Sequence, residues 1–210
     1  MIMTSETKKG ISLVYRECGI ALIADDLVTS ALKPEWFDVG VPTQVVQTPE
    51  ISYLDYGNSN IFVHGGTRRA VARDSSPDLV ATSPIALMMD KLVRELGINK
   101  VTALGFNYTY EAVFPENSRD MLTERYFNQA ILRSLGDNAE AAGFRLILDQ
   151  GECSLRVTVD RAVKNPFALN IILNYNYDDP PPQVYKDIIN RFGQHTATAP
   201  GLAEKVTHVE

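Results

Sequence analysis

The side chains that do covalent or proton-transfer chemistry are few in this chain, and their spacing assembles none of the usual machinery. Histidine occurs three times, as His64, His195 and His208, and cysteine twice, as Cys18 and Cys153. No two of these stand at the short intervals that let one helix or loop present them to a single metal ion. Neither cysteine has a histidine near it in sequence to take its proton. His64-Gly65-Gly66 would aim backbone amides as an oxyanion loop does, but no G-x-S-x-G turn supplies the nucleophile, so it reads as a turn after a strand. The doublets Asp25-Asp26 and Asp178-Asp179 stand beside strand or helix ends, where carboxylates cap and turn the chain; acid–base work would need them buried and facing each other. The phosphate-cradling patterns G-x-x-x-x-G-K-[ST] and G-x-G-x-x-G do not occur. The sequence therefore names no catalytic residue, no metal ligand and no cofactor, and leaves open whether the protein is an enzyme.

What the chain does carry is recognition chemistry. Phe106-Asn107-Tyr108-Thr109-Tyr110 and Leu173-Asn174-Tyr175-Asn176-Tyr177 both alternate amides or hydroxyls with large aromatics. In a strand, successive side chains point to opposite faces. The aromatics thus share one face, beneath helices, with their hydroxyls expected at the rim. Asn107, Thr109, Asn170, Asn174 and Asn176 take the other face, joined by Arg145, Arg156 and Thr158 from the alternating run between Phe144 and Asp160. Guanidinium groups among amides suit an anionic or hydrogen-bonding ligand. The candidate ligand- or partner-binding set is Asn107, Thr109, Arg145, Arg156, Thr158, Asn170 and Asn174. The bland alternative is an ordinary solvated sheet surface. Either way, the register predicts Asn107, Asn174, Arg145 and Arg156 on a helix-free face, with Tyr108, Leu146, Val157 and Leu173 under the helices, since a slip of one residue would invert every side chain.

These strands must be held by helices, and two are plainly written. Ser83-Pro84 can start a helix in which Ile85, Met88, Met89, Leu92, Val93 and Leu96 form one stripe, with Gly97 ending it. Pro180 to Pro182 lead into a second, striped by Val184, Tyr185, Ile188, Ile189 and Phe192 and closed by Gly193. A third helix is expected over Arg119 to Leu135, and a short helical segment around Leu27 to Phe37 that Asp26 could cap. Strands are expected at Ile11 to Arg16, in a meander from Val45 to Asp74, from Val101 to Phe114, and from Phe144 to Tyr177. Turns at Gly57 to Asn60, Gly65-Gly66 and Asp149 to Glu152 are too short for parallel crossovers, so the meanders are antiparallel.

Strand, helix, meander, helix is thus written twice, with matched elements about 90 to 100 residues apart along the chain. The expected fold is α+β: an antiparallel sheet built from two pseudo-repeated strand–helix–meander–helix halves, with the helices on one face. This element order across residues 10–193 resembles the duplicated saddle of TATA-binding-protein-like folds, a likeness of topology without a shared motif. It implies a continuous sheet with one open surface. The expected organisation is a single domain over 10–193, halves 10–99 and 100–193, and flexible termini at 1–9 and 194–210. Two separate sheets, or a curved sheet enclosing a cavity, are the alternative architectures.

Charge and composition narrow the partners. The net charge is −6, and it is spread evenly: 9 Lys and Arg against 12 Asp and Glu in residues 1–99, 11 against 14 in residues 100–210. Neither half is basic, which argues against general nucleic-acid binding. No apolar run reaches the roughly 18 residues of a membrane span. The start lacks the apolar core of a secretory signal, and two thiols fit a reducing compartment, so a cytoplasmic protein is expected and the Asn107-Tyr108-Thr109 acceptor triplet reads as chance. The leading expectation is a non-catalytic intracellular binding or assembly protein acting through an open sheet face or edge. A protein partner or self-association into a homodimer is favoured over a small molecule, with no membrane and no cofactor. The alternative is a small-molecule-binding protein or enzyme with a cavity between sheet and helices, where Tyr108, Tyr175, Arg145 and Arg156 would converge. A nucleic-acid binder is the third reading.

Overall fold

The computed structural model describes residues 4–6, 10–27, 32–76, 83–115, 143–181 and 185–207, with 117, 122, 126 and 134. They form an α+β fold around one ten-stranded antiparallel sheet. The strands are β1 (Thr4–Glu6), β2 (Ser12–Ala24), β3 (Gln44–Gln47), β4 (Ile51–Asp55), β5 (Ser59–His64), β6 (Arg69–Asp74), β7 (Val101–Val113), β8 (Gly143–Asp149), β9 (Ser154–Arg161) and β10 (Ala168–Asp178). Their order across the sheet is β3-β4-β5-β6-β2-β7-β10-β9-β8, with β1 paired to β2. The helices given in full by the described residues are α1 (Ile85–Glu95), α2 (Tyr185–Asn190) and α3 (Phe192–Thr207). No helix among the described residues is long and apolar enough to cross a membrane.

The two longest strands, β2 and β7, pair at the centre, and their register explains one departure from the sequence expectation. The first strand does not stop at Arg16 but continues to Ala24. Ile11, Leu13 and Tyr15 are buried at odd positions; Cys18, Ile20, Leu22 and Ala24 are buried at even ones. A bulge between Tyr15 and Glu17 causes the change. One extra residue in a strand restores pairing with the opposite parity. The alternation therefore breaks at the point where the sequence reading ends the strand.

α1 lies against β6, β2 and β5 and buries Ile85, Met88, Met89 and Leu92. Gly97 ends it at φ +61°, where the amides of Gly97 and Ile98 reach back to Arg94 and Val93. This is the paired closure that a left-handed glycine permits. At the other helix, Gly193 ends nothing. The chain breaks at Arg191, whose amide reaches both Asp187 and Ile188, and then restarts as α3. Residues 194–207 are thus a packed helix, not a flexible tail, because Phe192, Thr196, Ala199, Ala203 and Thr207 make a buried stripe of mostly small residues. Thr4–Glu6 likewise pairs with β2, so the expected flexible N-terminus holds a strand.

Of the segment expected as helical from Leu27 to Phe37, residues 28–31 lie outside the described residues; the described part holds the 3-10 turn Pro34–Trp36, where proline has no amide to give to a longer helix. The Asp26 carboxylate, expected as a helix cap, accepts the Asn99 amide at 3.0 Å. The helix expected over Arg119 to Leu135 lies outside the described residues, apart from Leu122, Tyr126 and Ser134.

Candidate functional site

Strand pairing gathers the sequence-predicted residues on one face. Asn107 of β7 stands opposite Asn174 of β10, which stands opposite Arg156 of β9, which stands opposite Ile147 of β8. The next row runs Thr109, Ile172, Thr158, Arg145, and the one beyond it Glu111, Asn170, Asp160. All seven candidates share this face, but not equally. Asn107, Thr109, Asn174, Arg156, Thr158 and Arg145 adjoin one another, whereas Asn170 sits between two carboxylates. Asn174 Nδ2 donates to Asn107 Oδ1 at 2.8 Å, which fixes the two amides against each other. Arg145 and Arg156 are exposed, and neither has an ion-pair partner among the described residues.

Register also places residues the sequence did not assign there. The Asn107 row continues through Gly19 of β2 to Arg73 of β6, then Asn60 and Asp55. Two arginines therefore flank the amide pair, four strand steps or about 19 Å apart at ordinary strand spacing. Arg73 lies over the Phe62 ring at 5.7 Å, which holds its guanidinium along the sheet. Between the arginines, Gly19, Ala21, Ala103 and Gly105 floor the β2–β7 seam with almost no side chain. At Gly105 the absence matters: a methyl group there would come within 3.3 Å of the Tyr175 carbonyl and 3.4 Å of Asn174 Nδ2, disturbing the amide row. The alternation of Arg69, Val71 and Arg73 in β6 was a usable signal, but only the bulged register of β2 connects it to Asn107.

The opposite face is the core. Tyr108, Val157 and Leu173 are buried there, and Leu146 shares that face at 47% exposure because β8 is the outermost strand. The tyrosine hydroxyls do not all reach a rim. Tyr108 donates to the Phe192 carbonyl at 3.0 Å and meets Thr196 Oγ1 at 3.1 Å, inside the core. Burial raises the Tyr108 and Tyr110 hydroxyls far above their usual range. Tyr108 and Tyr175 thus lie on the sheet face opposite Arg145 and Arg156, and the four do not converge on one cavity.

Two other places hold reactive groups. Tyr177 meets His195 Nε2 at 2.7 Å, the Tyr175 ring packs against the imidazole with centroids 4.0 Å apart, and the Cys153 thiol lies near Tyr177. Burial, and secondarily Arg191, lowers the His195 pKa; burial raises the Cys153 thiol. A cavity of about 310 Å³ beside Tyr177 is rimmed by Glu152, Asp178, Asp179, Asp187 and Arg191. Cys18 is buried near Tyr15 and Asp74, and burial pushes its thiol up to about 12, which removes it as a nucleophile. Both cysteines are free. Among the described residues no three His, Cys, Asp or Glu side chains gather as a metal site.

A wider groove of about 470 Å³ lies between β8, β9 and α3, lined by Tyr126, Phe144, Leu146, Leu148, Leu155, Val157, Leu202 and Val206, with Lys205 the single charge among the described lining residues. Tyr126 closes one side by donating to the Val206 carbonyl. No protein-family model matches this chain, and no curated protein sequence is significantly similar to it.

Proposed function

We propose that this is a non-catalytic binding or assembly protein whose working surface is the sheet face bearing Asn107, Asn174, Arg156 and Arg73. The observation that carries the reading is the continuous row in which a hydrogen-bonded Asn107–Asn174 pair lies between two arginines over a side-chain-poor seam. Amides offer paired donors and acceptors, and guanidinium groups bind planar anions in a forked geometry. A protein surface rich in carboxylates and backbone carbonyls supplies both kinds of partner. We read the fold beneath as an internal duplication with its helices on one face. Each long inner strand, β2 or β7, is followed outward by its own meander in reverse order, β6-β5-β4-β3 or β10-β9-β8.

The experiment is affinity capture with the full chain against a variant carrying Asn174→Ala and Arg156→Ala. Loss of the captured partner with an unchanged circular dichroism spectrum supports the face; equal capture by both proteins removes it. Retention on heparin that falls steeply with salt would instead indicate nucleic acid.

The groove beneath α3 favours a second reading. Its volume and apolar lining match small-molecule sites. A carrier of an apolar ligand with one acidic group would place the chain in the groove and the acid at Lys205. Extraction of purified protein with organic solvent, followed by mass spectrometry, distinguishes this reading from the first.

A further inference from the structure

We propose that two copies of this chain join edge to edge through β8, antiparallel, about a twofold axis at Ile147. The proposal rests on the reading of the sheet as an assembly surface and names both the edge and the partner. β8 is the last strand of the sheet and, among the described residues, pairs with β9 alone. Its outer side leaves Leu146, Ile147 and Leu148 at 47%, 64% and 42% exposure, three consecutive large aliphatics on an edge strand. Proteins usually blunt such an edge with proline, lysine or a very short strand. The opposite edge is treated that way: β3 has four residues, two of them glutamine, between Pro42 and Pro49. β8 has seven residues and neither proline nor lysine.

The charges of β8 select its partner. Arg145 and Asp149 stand two residues on either side of Ile147 and share its face of the sheet. In a twofold antiparallel pair centred on Ile147, Arg145 of each copy faces Asp149 of the other. Ile147 faces Ile147, and on the helix side Leu146 faces Leu148. Directly opposed side chains have Cβ atoms about 4.5–5.5 Å apart, close enough for each of these contacts. Centring the pair on Leu146 would set Arg145 against Ile147 instead. Asp149 uses Oδ1 to accept the Gly151 amide at 2.7 Å and retains Oδ2 for the arginine. The axis joins the two amide rows, because Ile147 is the strand neighbour of Arg156. The two Arg156 residues come three strand steps, about 14 Å, apart on one doubled face.

Sedimentation equilibrium on the full chain is expected to give twice the 23.3 kDa of a single chain. Ile147→Asp, which brings two carboxylates together on the axis, is expected to give a single-chain mass with an unchanged circular dichroism spectrum. Arg145→Asp and Asp149→Arg are each expected to be monomeric alone and to form a one-to-one heterodimer when mixed. Ile147→Cys, which leaves the turn and the charges intact, is expected to form an intermolecular disulfide in mild oxidant. A wild-type mass of one chain at several hundred micromolar overturns the proposal, as does a dimer that survives Ile147→Asp. Either failure would leave the binding face testable on the monomer, since capture by Asn107, Asn174 and Arg156 does not require the second copy.

Discussion

Replacing Tyr108 with phenylalanine removes one oxygen from the centre of the molecule and keeps the ring. Tyr108 is fully buried; Thr196, which shares its hydroxyl, is 3% exposed. The variant loses the bond to the Phe192 carbonyl and leaves Thr196 Oγ1 short of a partner where water cannot replace it. A net hydrogen bond contributes about 1 kcal/mol, and an orphaned buried group costs about 1–3 kcal/mol, so the expected destabilisation is about 1–3 kcal/mol. For a chain of this size that corresponds to a melting point lowered by roughly 2–12 °C. Thr196→Val alone should cost less, because Tyr108 keeps the carbonyl. The double variant should cost less than the sum, since neither group is then left stranded. Urea unfolding followed by circular dichroism and by fluorescence of Trp36, the single tryptophan, measures all three. A Tyr108→Phe cost below about 0.3 kcal/mol, or strict additivity in the cycle, would refute the packing of α3 on β7 through this pair.

Protonating His195 is disfavoured in the fold, so its pKa there lies below its unfolded value of about 6.5. The unfolded chain then binds the extra proton first, and stability should fall as pH drops below about 6.5, levelling off below the folded value; His195→Gln should remove that part of the pH profile in urea titrations. Cys18 should resist thiol reagents until global unfolding, while the partly exposed Cys153 reacts earlier, a difference readable by mass spectrometry after timed alkylation. Arg156→Ala should change stability by no more than about 0.5 kcal/mol in the same urea assay, as exposed positions usually do.

The alternation of aromatics and amides in β7 and β10, and of Leu155, Val157 and Val159 in β9, was enough to place the Asn and Arg side chains on one face. Two-residue periodicity survives in any strand whose register is unbroken. Where register shifts, the sequence stopped short. The bulge at Tyr15 to Glu17 hid half of β2 and with it the link from Asn107 through Gly19 to Arg73. α3 was missed for a different reason. Its buried stripe is Phe192 followed by Thr196, Ala199, Ala203 and Thr207, four small and weakly hydrophobic residues that suit close approach to the sheet, and Gly193 read as the end of the helix before it. The spacing of that stripe, four, three, four and four, was nonetheless helical. A cavity between sheet and helices was among the alternatives expected, but the place of the apolar groove was not legible, because it depends on α3, which packs on β7 and β10 and leaves a gap over β8 and β9.

The central claim is that the Asn–Arg sheet face meets a partner, and a photo-crosslinking amino acid placed there tests it most directly. It would stand at Thr109, between the amide row and Glu111, with Lys186 on the exposed side of α2 as the reference position. In cells that make the protein, irradiation should yield a discrete higher-mass adduct from position 109 that disappears when Arg156→Ala and Asn174→Ala are added, and none from position 186. No adduct from position 109, or the same adducts from both positions, would contradict a working surface on this face.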